Sequence, residues 1–299
     1  MWVLFSLLSA AFLNMKDVSL KQSTSRLSAI QSTAVMLLIL CPICLSCIFI
    51  LEKVNYDVDL VIMMFSAATL DAAAMTFYLL ALRNGSLAKV IPLLCFVPVF
   101  QLVLNFVFYN EVPSLFGFIG IISAIFFIFY GEGLNLISII KDKAVNSMIC
   151  VVLLWSLSSI IHKDGSGQIG AVNWTAHICL VMFLYYLPFL LRIRASTISL
   201  SDFSSLIVPA LAHLLTLLTF YQAASIGNVA FVSSLRRFST VFSILIGWYK
   251  YNETVTKRLC ISIFGLIVSA LTITLSVNRM TTIGELVLGC GYRPSMMYR

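Results

Sequence analysis

"FYLLALRNGSLAKVIPLLCFVPVFQLVLNFVFYNE", Phe77 to Glu111, can be laid over "FYQAASIGNVAFVSSLRRFSTVFSILIGWYKYNE", Phe220 to Glu253, with a single-residue gap near the turns at Gly85 and Gly227. Phe77 and Tyr78 then match Phe220 and Tyr221, while Phe96, Val99 and Phe100 match Phe238, Val241 and Phe242. Both stretches close on the same pair, Asn110–Glu111 and Asn252–Glu253. Apolar helices resemble one another by chance, but matched turns and a matched terminal pair do not follow from low complexity. The echo continues, in a shifted register, in "GIISA" at 120 and "GLIVSA" at 265. Self-similarity of this kind marks transporters built from two related halves.

Composition sets the medium in which such a repeat folds. Of the 299 residues 61% are hydrophobic and 10% charged, with a mean hydropathy of +1.03, whereas about a quarter of a soluble domain is charged. Apolar runs near the ~20 residues that cross a bilayer recur around 1–15, 31–51, 58–82, 88–109, 114–131, 146–163, 172–191, 203–225, 228–249 and 259–277. The expected fold is an all-α polytopic membrane protein of about ten transmembrane helices, with five-helix repeats over 1–135 and 145–278 and a tail over 279–299. Because five is odd, the second repeat enters from the opposite side, and the two are inverted about an axis in the membrane plane. The first run ends on Lys16 and Asp17. No small-residue cleavage site follows a basic segment there, so it reads as a helix and not a signal peptide.

The net charge of +7 is scattered over short loops, without a basic domain to present it, so no nucleic-acid partner is expected. These charges report orientation instead. Lys16, Lys21, Arg26, Arg83, Lys141, Arg192 and Lys257 fall on one side, which the positive-inside rule makes cytoplasmic with both termini outward, whereas Arg279, Arg293 and Arg299 argue the reverse. Cys41, Cys44 and Cys47 in "CPICLSC" have the spacing of a metal motif. They fall along one face of an apolar helix with no fourth ligand nearby, so neither a metal nor another cofactor is expected.

The two hairpins resemble EamA-type members of the drug/metabolite transporter superfamily, whose repeats close a Pro-rich or Arg-containing helix on a Glu and follow it with a Gly-bearing final helix. The matching residues are Pro92, Pro98, Glu111 and Gly120 in the first unit and Arg236, Gly247, Glu253 and Gly265 in the second. "MWVLFSLLSAAFLNMKDVSLKQ" is also similar to the family's first helix, including Lys21 near its end. The resemblance covers the chain to about residue 278 and implies a carrier, without naming its substrate. It also implies cytoplasmic termini, against the charge count.

Helical spacing locates the candidate chemistry. Ser233, Arg236, Ser239, Thr240, Ser243 and Gly247 form one small and polar stripe along the ninth helix. Through the repeat, Thr240, Ser243 and Gly247 become Pro98, Gln101 and Asn105, again on one face. The expected substrate-binding residues are Arg236, Gln101, Asn105, Ser243 and Thr240, with Tyr78 and Tyr221 as further cavity candidates. Close helix packing is the competing explanation for the serines and Thr240; it applies least to Gln101 and Asn105, which are larger and harder to satisfy in lipid.

Arg236 and Arg237 align with Leu94 and Cys95, so the frame does not require them. Asp71, alone in the middle of the third helix, is the expected partner of Arg237, leaving Arg236 to face the solute; a purely structural ion pair is the alternative. His213 falls within one position of the repeat equivalent of Asp71. That pair has the chemistry of a proton relay, the alternative being a hydrogen-bonded core histidine.

These observations predict a secondary transporter that moves a small organic metabolite, amino-acid-like, zwitterionic or anionic, by alternating access around a midplane site. Its partners are the solute, membrane lipids and, by way of the relay, protons; its expected place is the plasma membrane, a bacterial inner membrane. The competing class is a membrane-embedded enzyme acting on a lipid-linked substrate. Such an enzyme needs clustered metal ligands or a nucleophile with its base, and His162, His177 and His213 fall on separate expected helices without a motif.

Overall fold

The computed structural model describes residues 1–23, 27–51, 53–109, 111–112, 115–131, 142–192, 199–227, 229–239, 242, 246, 248–249, 256–275 and 281–282. The helices are α1 (Trp2–Ser23), α2 (Ala29–Ile50), α3 (Val58–Asn84), α4 (Leu87–Val90), α5 (Val97–Tyr109), α6 (Leu115–Gly131), α7 (Lys143–Ile169), α8 (Ala171–Arg192), α9 (Leu200–Ser205), α10 (Ile207–Ile226), α11 (Val229–Arg236) and α12 (Lys257–Leu275). A 3-10 segment, Ile91–Phe96, joins α4 to α5. The β structure among the described residues is one two-residue antiparallel pairing, β1 (Glu111–Val112) with β2 (Thr281–Thr282).

Local chemistry fixes the helix starts. Ser28 and Gln31 form a reciprocal capping box on α2, and Asp57 Oδ1 accepts from the Leu60 amide, 2.7 Å away, at the start of α3. Asp142 Oδ1 accepts from the amides of Ala144 (2.8 Å) and Val145 (3.2 Å), while Oδ2 accepts from Lys89 Nζ at 2.7 Å. The Lys89 ammonium, helped by those two amides, holds the Asp142 carboxyl below the ordinary carboxylate range. A depressed acid contributes stability above its ordinary titration and loses it as the pH falls through its lowered value. Asp142→Ala is therefore expected to lower thermal stability at neutral pH by about 0.5–2 kcal/mol, the usual effect of a lost N-cap. The difference from wild type should close as the pH is taken below ~3.9, as followed by thermal unfolding in detergent.

Among the described residues, six stretches are long and apolar enough to cross a membrane: Trp2–Leu20, Ile30–Ile50, Val58–Asn84, Lys143–Ile169, Ala171–Leu191 and Leu200–Ile226. Shorter apolar helices accompany them. Large apolar side chains, among them Phe49, Ile62, Phe108, Leu191 and Phe264, lie exposed on the outside, as a lipid-facing surface requires.

Several expected boundaries are corrected. The first helix does not stop at 15; α1 continues to Ser23, and Lys16 and Asp17 are buried within it, at 1% and 0% exposure. The run at 88–109 is interrupted: Pro92 sits at the start of the 3-10 segment and Pro98 at the start of α5, where a missing N–H breaks the α-helical ladder. "GSG" at 165–167, expected to be a loop, is the last part of α7. Much of the expected ninth helix, including Thr240, Ser243 and Gly247, lies outside the described residues, as does Glu253. The backbone of Asn105 lies in α5, but its side chain and that of Glu111 are outside the described set.

α1 packs on α10 and α11, α2 on α8, α3 on α7, α5 on α11 and α7, and α6 on α12. Two glycines permit close approach. A Cβ at Gly265 on α12 would fall 2.2 Å from the Phe127 ring on α6, and one at Gly165 on α7 would fall 2.2 Å from the ring of buried Trp174 on α8. Gly165→Ala gains about 1 kcal/mol of helix propensity but forces a rigid indole to move, and overpacking costs about 1–3 kcal/mol. The variant is expected to unfold at lower temperature than wild type in detergent.

Candidate functional site

A buried cavity of about 40 Å³, counted as space open to the centre of a water molecule, lies where α1, α3, α5, α7, α8, α10 and α11 converge. One water needs ~10–15 Å³ on that measure, so the cavity has room for a few waters. Its charged and polar wall is Lys16 from α1, Asp71 from α3, Gln101 from α5, Ser158, Ser159 and His162 from α7, His213 and Tyr221 from α10, and Ser233, Arg236 and Arg237 at the end of α11. Asp71 lies midway along α3.

One side of the cavity is a buried aspartate cage. Asp71 Oδ2 lies 2.8 Å from His162 Nε2, and the Trp174 indole N–H donates to His162 Nδ1 at 2.9 Å. An indole nitrogen can only donate. His162 Nδ1 is therefore an acceptor, the imidazole is the neutral Nε2–H tautomer, and that proton is donated to Asp71. The Tyr221 hydroxyl stands 3.4 Å from Asp71 Oδ2 and 3.2 Å from His162 Nε2. With Nε2 already donating, the tyrosine proton goes to the carboxylate.

The other side is cationic. Lys16 Nζ lies 3.7 Å from Asp17 Oδ1 and 4.4 Å from the centre of the Tyr78 ring. The Tyr78 hydroxyl donates to Asp17 Oδ1. Arg236 stacks its guanidinium over Phe220 at 4.6 Å, and Arg237 Nε donates to the Ser233 carbonyl at 3.1 Å. Asp17 is electrostatically coupled to both arginines. Among the described residues, Arg236 Nε, Arg237 Nη1, Ser233 Oγ, Gln101 Oε1 and His213 Nδ1 are buried without a hydrogen-bond partner. Lys16, Arg236 and Arg237 face Asp17 and Asp71, so formal charge here is one positive in excess.

The structure brings together Arg236, Gln101, Tyr221, Asp71, Arg237 and His213 in the lining of one cavity. Tyr78 is fully buried behind it, holding Asp17. The expected Asp71–Arg237 pair is corrected: Asp71 is bound by His162 and Tyr221, and the acid coupled to Arg237 is Asp17. The reason is geometric, since α3 packs along α7, which carries His162. His213 is coupled to Asp71 electrostatically, but the hydrogen bond belongs to His162. Sequence reasoning missed Lys16, Asp17, His162 and Trp174. The available signal, for Lys16 and Asp17, was the run from Lys16 to Gln22, which contains no Gly or Pro to end the first helix after its charges.

The model of the EamA-like transporter family matches residues 1–130 and 143–275. The chain belongs to that family. It is thus a multi-pass integral membrane protein and a transporter of the drug/metabolite transporter superfamily. No curated protein matches it. Among solved structures, a crystal structure of a protein aligns with a TM-score of 0.68 and 13% identity, covering 93% of this chain and 98% of its own; that likeness concerns the fold alone.

Proposed function

We propose that this EamA-family protein is a secondary carrier of a small carboxylate-bearing metabolite, anionic or zwitterionic, working by alternating access between two inverted five-helix units. The observation that carries the substrate class is the buried cavity with three cationic side chains, Lys16, Arg236 and Arg237, set against two carboxylates, Asp17 and Asp71. An anion that fills the cavity neutralises the excess charge and satisfies the unpartnered N–H groups of Arg236 and Arg237, which only donate. Arg236, Gln101 and Tyr221 are the proposed contacts, with Tyr78 acting through Asp17. Asn105, Thr240 and Ser243 complete the proposed set by sequence spacing.

Helix packing supports the repeat. Under an exchange of α1 with α7 and α3 with α10, the α1–α10 contact becomes the α7–α3 contact, and both are present. The pairs α2–α8, α5–α11 and α6–α12 each map onto themselves, and each is present. The tyrosines follow the same exchange: Tyr78 of α3 reaches Asp17 on α1, and Tyr221 of α10 reaches His162 on α7. A cavity this tight must widen to admit a solute, as rocking of one unit against the other would provide. Purified protein in proteoliposomes is expected to catalyse saturable counterflow of a small carboxylate-bearing solute and not of organic cations. Counterflow of cations alone would overturn the reading.

A further inference from the structure

The amide of Gln101 is held in one orientation. Ser159 Oγ gives its single proton to the Ser156 carbonyl, 2.8 Å away, so toward Gln101, at 2.7 Å, it can only accept. The amide nitrogen therefore faces Ser159, and the oxygen is the free end. Gln101 is 1% exposed and lines the cavity, and its Oε1 has no partner among the described residues. A buried carbonyl oxygen left without a donor is unfavourable. The arginine side of the same cavity has the opposite need, because the unpartnered atoms of Arg236 and Arg237 are donors.

The wall thus offers donors at one place and a fixed acceptor at another, and one small molecule satisfies both only if it carries complementary groups. We infer that Gln101 Oε1 accepts a hydrogen bond from the solute and selects carboxylates bearing a hydroxyl or ammonium donor over bare carboxylates of the same skeleton. This rests on the reading of the cavity as the solute site. A site built to bond a donor rejects the analogue lacking it, because its own polar atom is left unpaired.

The test uses two matched series as probes: propionate, lactate and alanine, and 3-phenylpropionate, 3-phenyllactate and phenylalanine. Binding to the purified full-length carrier is read as concentration-dependent thermal stabilisation. In at least one series the donor-bearing members should bind wild type at least ~10-fold more tightly than the bare acid. Gln101→Met keeps the length of the side chain and removes the oxygen, and it should abolish that preference; Gln101→Leu serves if the Met variant does not fold. A preference that survives in the variant, or bare acids that bind wild type equally well, overturns the inference. If binding is then still lost in Arg236→Ala, the carboxylate site stands without the donor selection. If no member binds wild type, the carboxylate reading falls and takes the inference with it.

Discussion

Arg236→Ala protein, reconstituted in proteoliposomes, should exchange carboxylate-bearing solutes roughly 10- to 100-fold less effectively than wild type, the scale of a lost hydrogen bond to a charged group, ~1.5–3 kcal/mol. The guanidinium lies deep in the bundle yet keeps some accessible surface, which the cavity it lines accounts for. Stacking on Phe220 fixes its plane, and its unpartnered Nε–H is available to an incoming anion. Removing it also cancels the single excess positive charge, so the site should stop favouring anions over neutral molecules. Arg236→Lys should recover part of the activity, because it retains the charge and loses the planar fork. Wild-type exchange of every anionic and zwitterionic solute by Arg236→Ala would refute the assignment.

The second large effect concerns coupling. We propose that transport is coupled to protons through Asp71; on that reading Asp71→Asn is expected to abolish solute accumulation driven by an imposed pH gradient, together with the accompanying proton entry reported by a trapped pH dye, while counterflow persists. Around Asp71 stand His162 and Ser158 from α7, His213 and Tyr221 from α10 and Cys179 from α8. His162 takes up a proton only by giving up the Trp174 hydrogen bond to Nδ1. Of this hydrogen-bonded pair Asp71 therefore accepts a proton with the smaller rearrangement, while His213, whose Nδ1 has no partner among the described residues, is the competing acceptor in the cavity. Protonation of Asp71 raises the positive charge of the cavity and strengthens the hold on an anion, which links the two movements. Asparagine imitates the protonated acid permanently. Equal gradient-driven accumulation in wild type and Asp71→Asn would show that the coupling lies elsewhere.

Sequence pattern brought Arg236 and Gln101 to the same place because it was read as helical spacing carried through a repeat, and both properties follow from local chain geometry. It failed at the partner of Asp71, which depends on which helices touch. Charge complementarity points from Asp71 to the arginines, whereas the chain supplies a neutral imidazole. His162 falls next to the end of a helix expected to stop at 163, but α7 runs on to Ile169. Its glycines look like loop residues until Trp174 is seen against Gly165. Lys16 and Asp17 were missed for a related reason: charges usually mark where a span ends, and here they pair with each other and are buried against Tyr78 and Trp155, tertiary neighbours invisible in one dimension.

That placement of Lys16 and Asp17 has a cost during synthesis. α1 has the lowest mean hydropathy of the six spanning stretches, 1.4, and it packs on α10 and α11. The hydrogen bond from Ser9 to the Thr216 carbonyl closes a sequence separation of 207 residues. At about 5–20 residues per second, the ribosome needs roughly 10 to 40 seconds to supply that partner. Throughout this interval α1 carries Lys16 and Asp17 without the α10 and α11 surface on which it packs, so its final seating waits for the second half of the chain.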